Sequence, residues 1–229
     1  MSMFTPKILV WDAPVRVFHV LLALSFAGAW ATAEADGWRL VHLTLGYTVA
    51  GLVVLRLLWG LVGTRHARFV QFVRGPQAVW AYLQALLAGR APRFVGHNPL
   101  GAVAIVALLL LGLVVPLSGW ATLNEVGGEW FEEVHEALGN AMVIVVGAHI
   151  AGVLLASWLH RERLVAAMVT GYKSGQPSEA IARPWRPLAV LLLAAVLGFW
   201  FVQWRAAAEG GVIQPQRVQA VLQGESEED

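Results

Sequence analysis

Long apolar runs separated by short polar ones dominate the chain. Five are long enough to cross a bilayer: about Val15–Thr32, Leu40–Val62, Leu100–Ala121, Val134–Leu159 and Trp185–Trp204. Each comes near the roughly 17–25 residues that a tilted helix needs to cross about 30 Å of hydrocarbon. Lipid offers no partner to a free amide or carbonyl, so a single spanning segment must be helical. The expected class is an all-α integral membrane protein: a four-helix transmembrane bundle plus a fifth C-terminal transmembrane helix. Between the second and third runs, Pro76–Arg90 places Val79, Tyr82, Leu83, Leu86 and Leu87 on one face. That spacing predicts either an interfacial helix or one packed on the end of the bundle.

Composition agrees with this pattern. The chain is 58% hydrophobic and 14% charged, with a mean hydropathy of +0.63, against about a quarter charged in soluble domains. It has no cysteine, which excludes iron–sulfur clusters held by thiolates, heme attached through C-x-x-C-H, thiol catalysis and disulfides. The first apolar run continues to Thr32 without a cleavage pattern, so it reads as a retained span and not a removed signal.

Charge sets the expected orientation. Lys7, Arg16, Arg65, Arg68, Arg74, Arg90, Arg93, Arg161, Arg163, Lys173, Arg183 and Arg186 fall on one side of the five spans. The other side carries Glu34, Asp36 and Arg39 in one loop, and Glu125, Glu129, Glu132, Glu133 and Glu136 in the other. Basic loops stay in the cytoplasm. The N-terminus is therefore expected inside and the C-terminal tail in the periplasm.

Four histidines lie on apolar spans. His135 and His149 are 14 residues apart on one run, almost four helical turns, so both leave the same face about 21 Å apart along the axis. Ionisable or ligating side chains within a membrane helix are functional hypotheses by default. Topology puts His42 and His135 at the outer level and His19 and His149 at the inner level. Two depth-matched pairs can ligate two hemes axially. A zinc or copper site would need three or four ligands, not two. Gly46 and Gly139 each follow a histidine by four residues and leave the face one turn along free for a flat porphyrin. Arg56, 14 residues after His42, shares its face at the inner level, where a guanidinium needs an anionic partner such as a heme propionate. Arg16, three before His19, is a second candidate. His66, His97 and His160 read as solvated loop histidines.

The stretches WDAPVRVFH (11–19), HLTLGY (42–47), RLLWGLVGTRHARF (56–69), HNPLG (97–101), HEALGN (135–140) and HIAGVLLASWLHRERLVAAMVTGYK (149–173) resemble the bacterial di-heme cytochrome b561 family. That family includes the cytochrome b subunits of nickel–iron hydrogenases. The resemblance covers roughly Lys7 to Lys173 and implies a four-helix domain over 7–173 with two b-type hemes. Its ligand motifs fall on His19, His42, His135 and His149, one by one. The family's basic unit lacks the fifth span, so residues 174–229 form a second expected unit of helix and periplasmic tail.

A bis-histidine heme has no open position and exchanges electrons without binding substrate. The expected function is electron transfer in a respiratory chain, across the bacterial inner membrane, between a periplasmic redox partner and the quinone pool. By resemblance that partner is a hydrogenase, another dehydrogenase or a c-type cytochrome. A rival function is a superoxide:quinone oxidoreductase acting alone, which the acidic outer loops disfavour. Another is a heme-free scaffold or transporter, for which no repeat or broken helix speaks. In the tail, Val212–Leu222 and the acids from Glu225 to Asp229 are candidates for docking a basic partner.

Overall fold

The computed structural model describes residues 6–35 and 37–208; the candidate docking segments of the tail lie outside them. The helices that cross the bilayer are α1 (Ala13–Ala31), α2 (Arg39–Val62), α5 (Pro99–Leu123), α6 (Trp130–Leu159) and α8 (Arg186–Ala208). The chain is a multi-pass membrane protein of the expected class. Between them lie α3 (Phe69–Phe72), α4 (Pro76–Leu87) and α7 (Leu164–Thr170). A short ribbon, which apolar periodicity did not foretell, pairs β1 (Lys7–Leu9) antiparallel with β2 (Tyr172–Ser174).

Local chemistry sets the helix ends. Asp12 caps α1 by accepting from the Val15 amide at 2.8 Å, with proline in the first turn. Asn98 caps α5 in the same way, accepting from the Gly101 amide at 2.7 Å. α6 starts at Trp130, ahead of its apolar run, with Glu132 and Glu133 in its first turn, where carboxylates suit the positive end of the helix dipole. α7 stops at Gly171, whose φ of 89° places it in the left-handed region.

Two hairpins, α1–α2 and α5–α6, meet through α2 and α5, while α8 packs on α1 and α2. The main core gathers Phe18, Leu21, Val49, Leu52, Val53, Leu109 and Val196. α6 is buried only at Met142 and Ala156, and residues such as Ile144 (72% exposed) and Trp158 (77% exposed) face outward as lipid requires. α4 packs on α5, with Tyr82 buried and Leu87 exposed.

The basic end is a built cap. Asp12 accepts from Trp59 Nε1 at 3.1 Å and Thr64 Oγ1 at 2.5 Å, joining the start of α1 to the end of α2. Arg65 donates to Ser178 O at 3.0 Å, and His66 Nε2 lies 2.8 Å from Glu179 O. Lys173 donates to Phe94 O at 3.1 Å and pairs with Glu162 at 3.2 Å, while Arg93 also contacts Glu162. Burial holds the Lys173 ammonium below its usual range, opposed by Glu162.

The two cations of this cluster differ in depth: the Lys173 side chain is 4% exposed and that of Arg93 is 39% exposed. Removing the carboxylate strands a buried ammonium, which costs on the order of 3–5 kcal/mol; removing an exposed partner costs about 1 kcal/mol or less. Glu162→Gln should therefore lower stability much more than Arg93→Gln. Chemical unfolding of both variants in detergent checks this. Equal losses would show that the buried pair is not what holds the cap.

Candidate functional site

The acidic end brings His42 and His135 together. Their ring centroids are 6.1 Å apart and their planes cross at 82°. Each ring is held by its Nδ1. His42 Nδ1 lies 2.8 Å from Ala29 O on α1, and His135 Nδ1 lies 3.0 Å from Val115 O and 3.1 Å from Ser118 Oγ on α5. With Nδ1–H donating to a carbonyl, Nε2 is the nitrogen left for a ligand, the arrangement that metal-bound histidines adopt. Two imidazoles bound to one metal through bonds of about 2 Å place their centroids roughly 6 Å apart. The observed separation fits an axial pair. A small cavity of about 30 Å³ touches both rings and is lined by Gly46, Tyr47, Pro116, Gly119 and Trp120 as well.

Sequence reasoning missed Ser118 and Gly119. The available signal was Pro116 inside α5 with small residues directly after it. Pro116 has no N–H to offer Gly112 O, so the helical ladder is interrupted just before these small residues. Ser118 Oγ donates to Val115 O at 2.8 Å, on the very carbonyl that orients His135.

His19 lies on α1 and His149 on α6. No ring contact between them is recorded among the described residues. Ala29, where His42 attaches, is ten residues beyond His19 on α1, about 15 Å along the axis. The four histidines thus fall at two levels. No group of three or more metal-binding side chains occurs among the described residues, so a zinc-type cluster finds no donor set there.

Gly46 and Gly139 are open: a Cβ at either position would meet nothing within 4 Å. A flat macrocycle against these helices fits such bare surface. Arg56 is 5% exposed, donates Nη2 to Ala67 O at 2.9 Å and stacks its guanidinium 5.1 Å above the Phe69 ring centroid. The Asp12 carboxylate faces it electrostatically, but its Nη1 is buried without a hydrogen-bond partner. Arg16 donates Nη2 to Val169 O at 2.5 Å and leaves Nε buried without a partner. These orphaned donors fit the carboxylate arms of a heme.

His97 is not a solvated loop residue. Its ring packs between Trp11 at 4.6 Å and Phe72 at 4.5 Å. Burial, reinforced by Arg56 and Lys173, pushes it down to about 3. His66 is also lowered, mainly by burial.

The model of the prokaryotic cytochrome b561 family matches residues 10–171. Among curated proteins, the chain is 25% identical over 211 residues to the probable Ni/Fe-hydrogenase 1 B-type cytochrome subunit of Escherichia coli K12, covering 72% of this chain and 90% of that protein. It is 29% identical over 212 residues to the probable Ni/Fe-hydrogenase B-type cytochrome subunit of Cupriavidus necator, covering 72% and 86%. No solved structure matches.

A Cβ on Gly119 would sit 2.8 Å from Cε1 of His135, closer than real contacts allow, so the ring would have to move. Gly119→Ala should lower the occupancy of any ligand held between His42 and His135, while Gly139→Ala, with open space, should lower it less. Bound cofactor per chain in the two purified variants checks the order, and the reverse order would contradict it.

Proposed function

The chain belongs to the prokaryotic cytochrome b561 family, and on that premise we propose that it is a membrane electron-transfer subunit carrying two b-type hemes. The observation that carries this reading is the His42–His135 pair, 6.1 Å apart and oriented through Nδ1 on both sides. His19 and His149 are the ligands of the second heme, at the basic end. Heme b, when bound between two imidazoles, supplies a one-electron couple at an iron with no open position.

The chain's own residues do the rest. Ala29 O, Val115 O and Ser118 fix the tautomer and direction of the acidic-end ligands, which also raises their basicity. Gly46 and Gly139 give the helices bare faces. Arg56 offers Nη1, and Arg16 offers Nε, to carboxylates at the basic end. The apolar walls of the bundle keep water from the wire and so tune its potential.

The relatives carry printed names of hydrogenase B-type cytochrome subunits, which supports a hydrogenase-like dehydrogenase as the partner. Electrons pass between it and the membrane quinone pool. The clustering of Lys and Arg at one end supports a cytoplasmic N-terminus, a periplasmic C-terminus on α8, and the His42–His135 level facing the periplasm.

The purified protein is expected to contain two non-covalent hemes per chain by a hemochrome assay. His149→Ala should remove the basic-end heme and largely spare the other, and His135→Ala should do the converse. One heme per wild-type chain would overturn the two-site reading, as would full heme content in both variants.

Arg56→Leu should lower the potential of the basic-end heme, because the extra positive charge of the oxidised form is then no longer opposed. Spectroelectrochemical titration reads the shift. An unchanged potential with intact heme content would remove Arg56 from the site.

A further inference from the structure

His97 has no task in the backbone around it. Asn98 caps α5 and Pro99 opens it, so the turn is complete without the histidine side chain. Its ring is instead clamped between Trp11 and Phe72, with interplanar angles of 46° and 52°. Nδ1 is buried and lacks a hydrogen-bond partner. Leaving such an atom unpaired is costly, so a native site that keeps one calls for a reason.

The surroundings supply it. Phe72 touches Phe69, and Phe69 lies under the Arg56 guanidinium, whose Nη1 is the second buried orphan. Beyond the aromatic walls, His97 faces Arg56 electrostatically, and after it Lys173, His149 and His66. Two unpaired nitrogens on aromatic walls, one of them on a guanidinium, call for a small acceptor with negative charge. A carboxylate has the lone pairs to take both.

We propose that His97 is a positioning residue for the basic-end heme: its Nδ1–H donates to a propionate carboxylate, which Arg56 Nη1 also holds. The inference rests on the two-heme reading. His97 acts through the propionate and is not an iron ligand. Its N–H partly neutralises the carboxylate, which makes reduction of the nearby iron easier. Trp11 and Phe72 hold the ring at a fixed angle, so the donor is set before the heme arrives.

The test uses the full chain in detergent, with hemes counted by the hemochrome assay and potentials read by spectroelectrochemistry. The basic-end heme is the one lost in His149→Ala. His97→Phe keeps an aromatic ring between Trp11 and Phe72 but removes the donor; His97→Gln restores an N–H. The expected result is two hemes in both variants. In His97→Phe the reduced-to-oxidised ratio of the basic-end heme at fixed potential should fall roughly tenfold, equivalent to about 59 mV for one electron. His97→Gln should recover much of that shift, and the heme at His42 and His135 should not respond in either variant.

An unshifted potential in His97→Phe with full heme content would overturn the proposal and leave the two-heme reading standing. Loss of the basic-end heme in both His97→Phe and His97→Gln would overturn it too, by making His97 a ligand or a structural residue. A wild-type chain without the basic-end heme would overturn both readings, and the count in the unmutated protein tells these failures apart.

Discussion

A polar group inside hydrocarbon must find its partner within the protein, and the site at the acidic end follows from that requirement. The last four carbonyls of a helix have no ladder partner. Ala29 sits in the last turn of α1, and its oxygen accepts from His42 Nδ1 at 2.8 Å. On the opposite hairpin, Val115 O, next to Pro116, takes His135 Nδ1 at 3.0 Å and the Ser118 hydroxyl at 2.8 Å. These contacts hold both imidazoles by Nδ1, which leaves Nε2 as the nitrogen free to take a ligand. Gly119 must lack a side chain because the His135 ring so held lies against it. Backbone economy and ligand geometry are one constraint here.

The basic end solves a harder problem, since loops must cover it without lipid contacts to help. Asp12 does three jobs at 1% exposure: it caps α1, takes the Trp59 indole and takes the Thr64 hydroxyl. The β1–β2 ribbon brings Lys173 to Glu162. Among the described residues, the buried atoms of this end that lack a hydrogen-bond partner include Arg16 Nε, Arg56 Nη1, Arg68 Nε, His97 Nδ1 and Glu162 Oε1. Two of them, Arg56 Nη1 and His97 Nδ1, are joined through the aromatic contacts of Phe69 and Phe72.

The five spans were legible because a bilayer demands length and apolarity that composition displays directly. The meeting of His42 and His135 was also legible, since topology assigns depth and depth limits pairing. Other features were hidden for definite reasons. Three-residue strands are too short to show an alternating pattern, so the ribbon was invisible. The start of α6 looked like an acidic loop, although Glu132 and Glu133 are suited to a helix N-terminus. The Lys173–Glu162 pair and the Trp11–His97–Phe72 stack join residues far apart in sequence. Nothing local marks them, and a histidine beside Asn-Pro in a polar loop reads as solvated until the fold encloses it.

The fifth helix shows how a bundle can gain a span without disturbing its site. α8 presents Ala189, Leu192, Val196, Trp200 and Gln203 at helical spacing to α1 and α2. Trp200 Nε1 donates to Thr48 Oγ1 at 2.9 Å, and the same hydroxyl donates to Thr44 O. Interhelical bonds of this kind contribute about 0.6 kcal/mol on average in membranes, so close packing must supply most of the attachment. None of these residues lines the cavity between His42 and His135. The family match ends at residue 171, before α8 begins. On α2, His42 and Gly46 line the cavity while Thr48 takes Trp200 of α8, and helical spacing puts these two contacts on separate faces. Because lipid and a helix are equally apolar neighbours for the second face, adding the helix there asks nothing of the residues on the first.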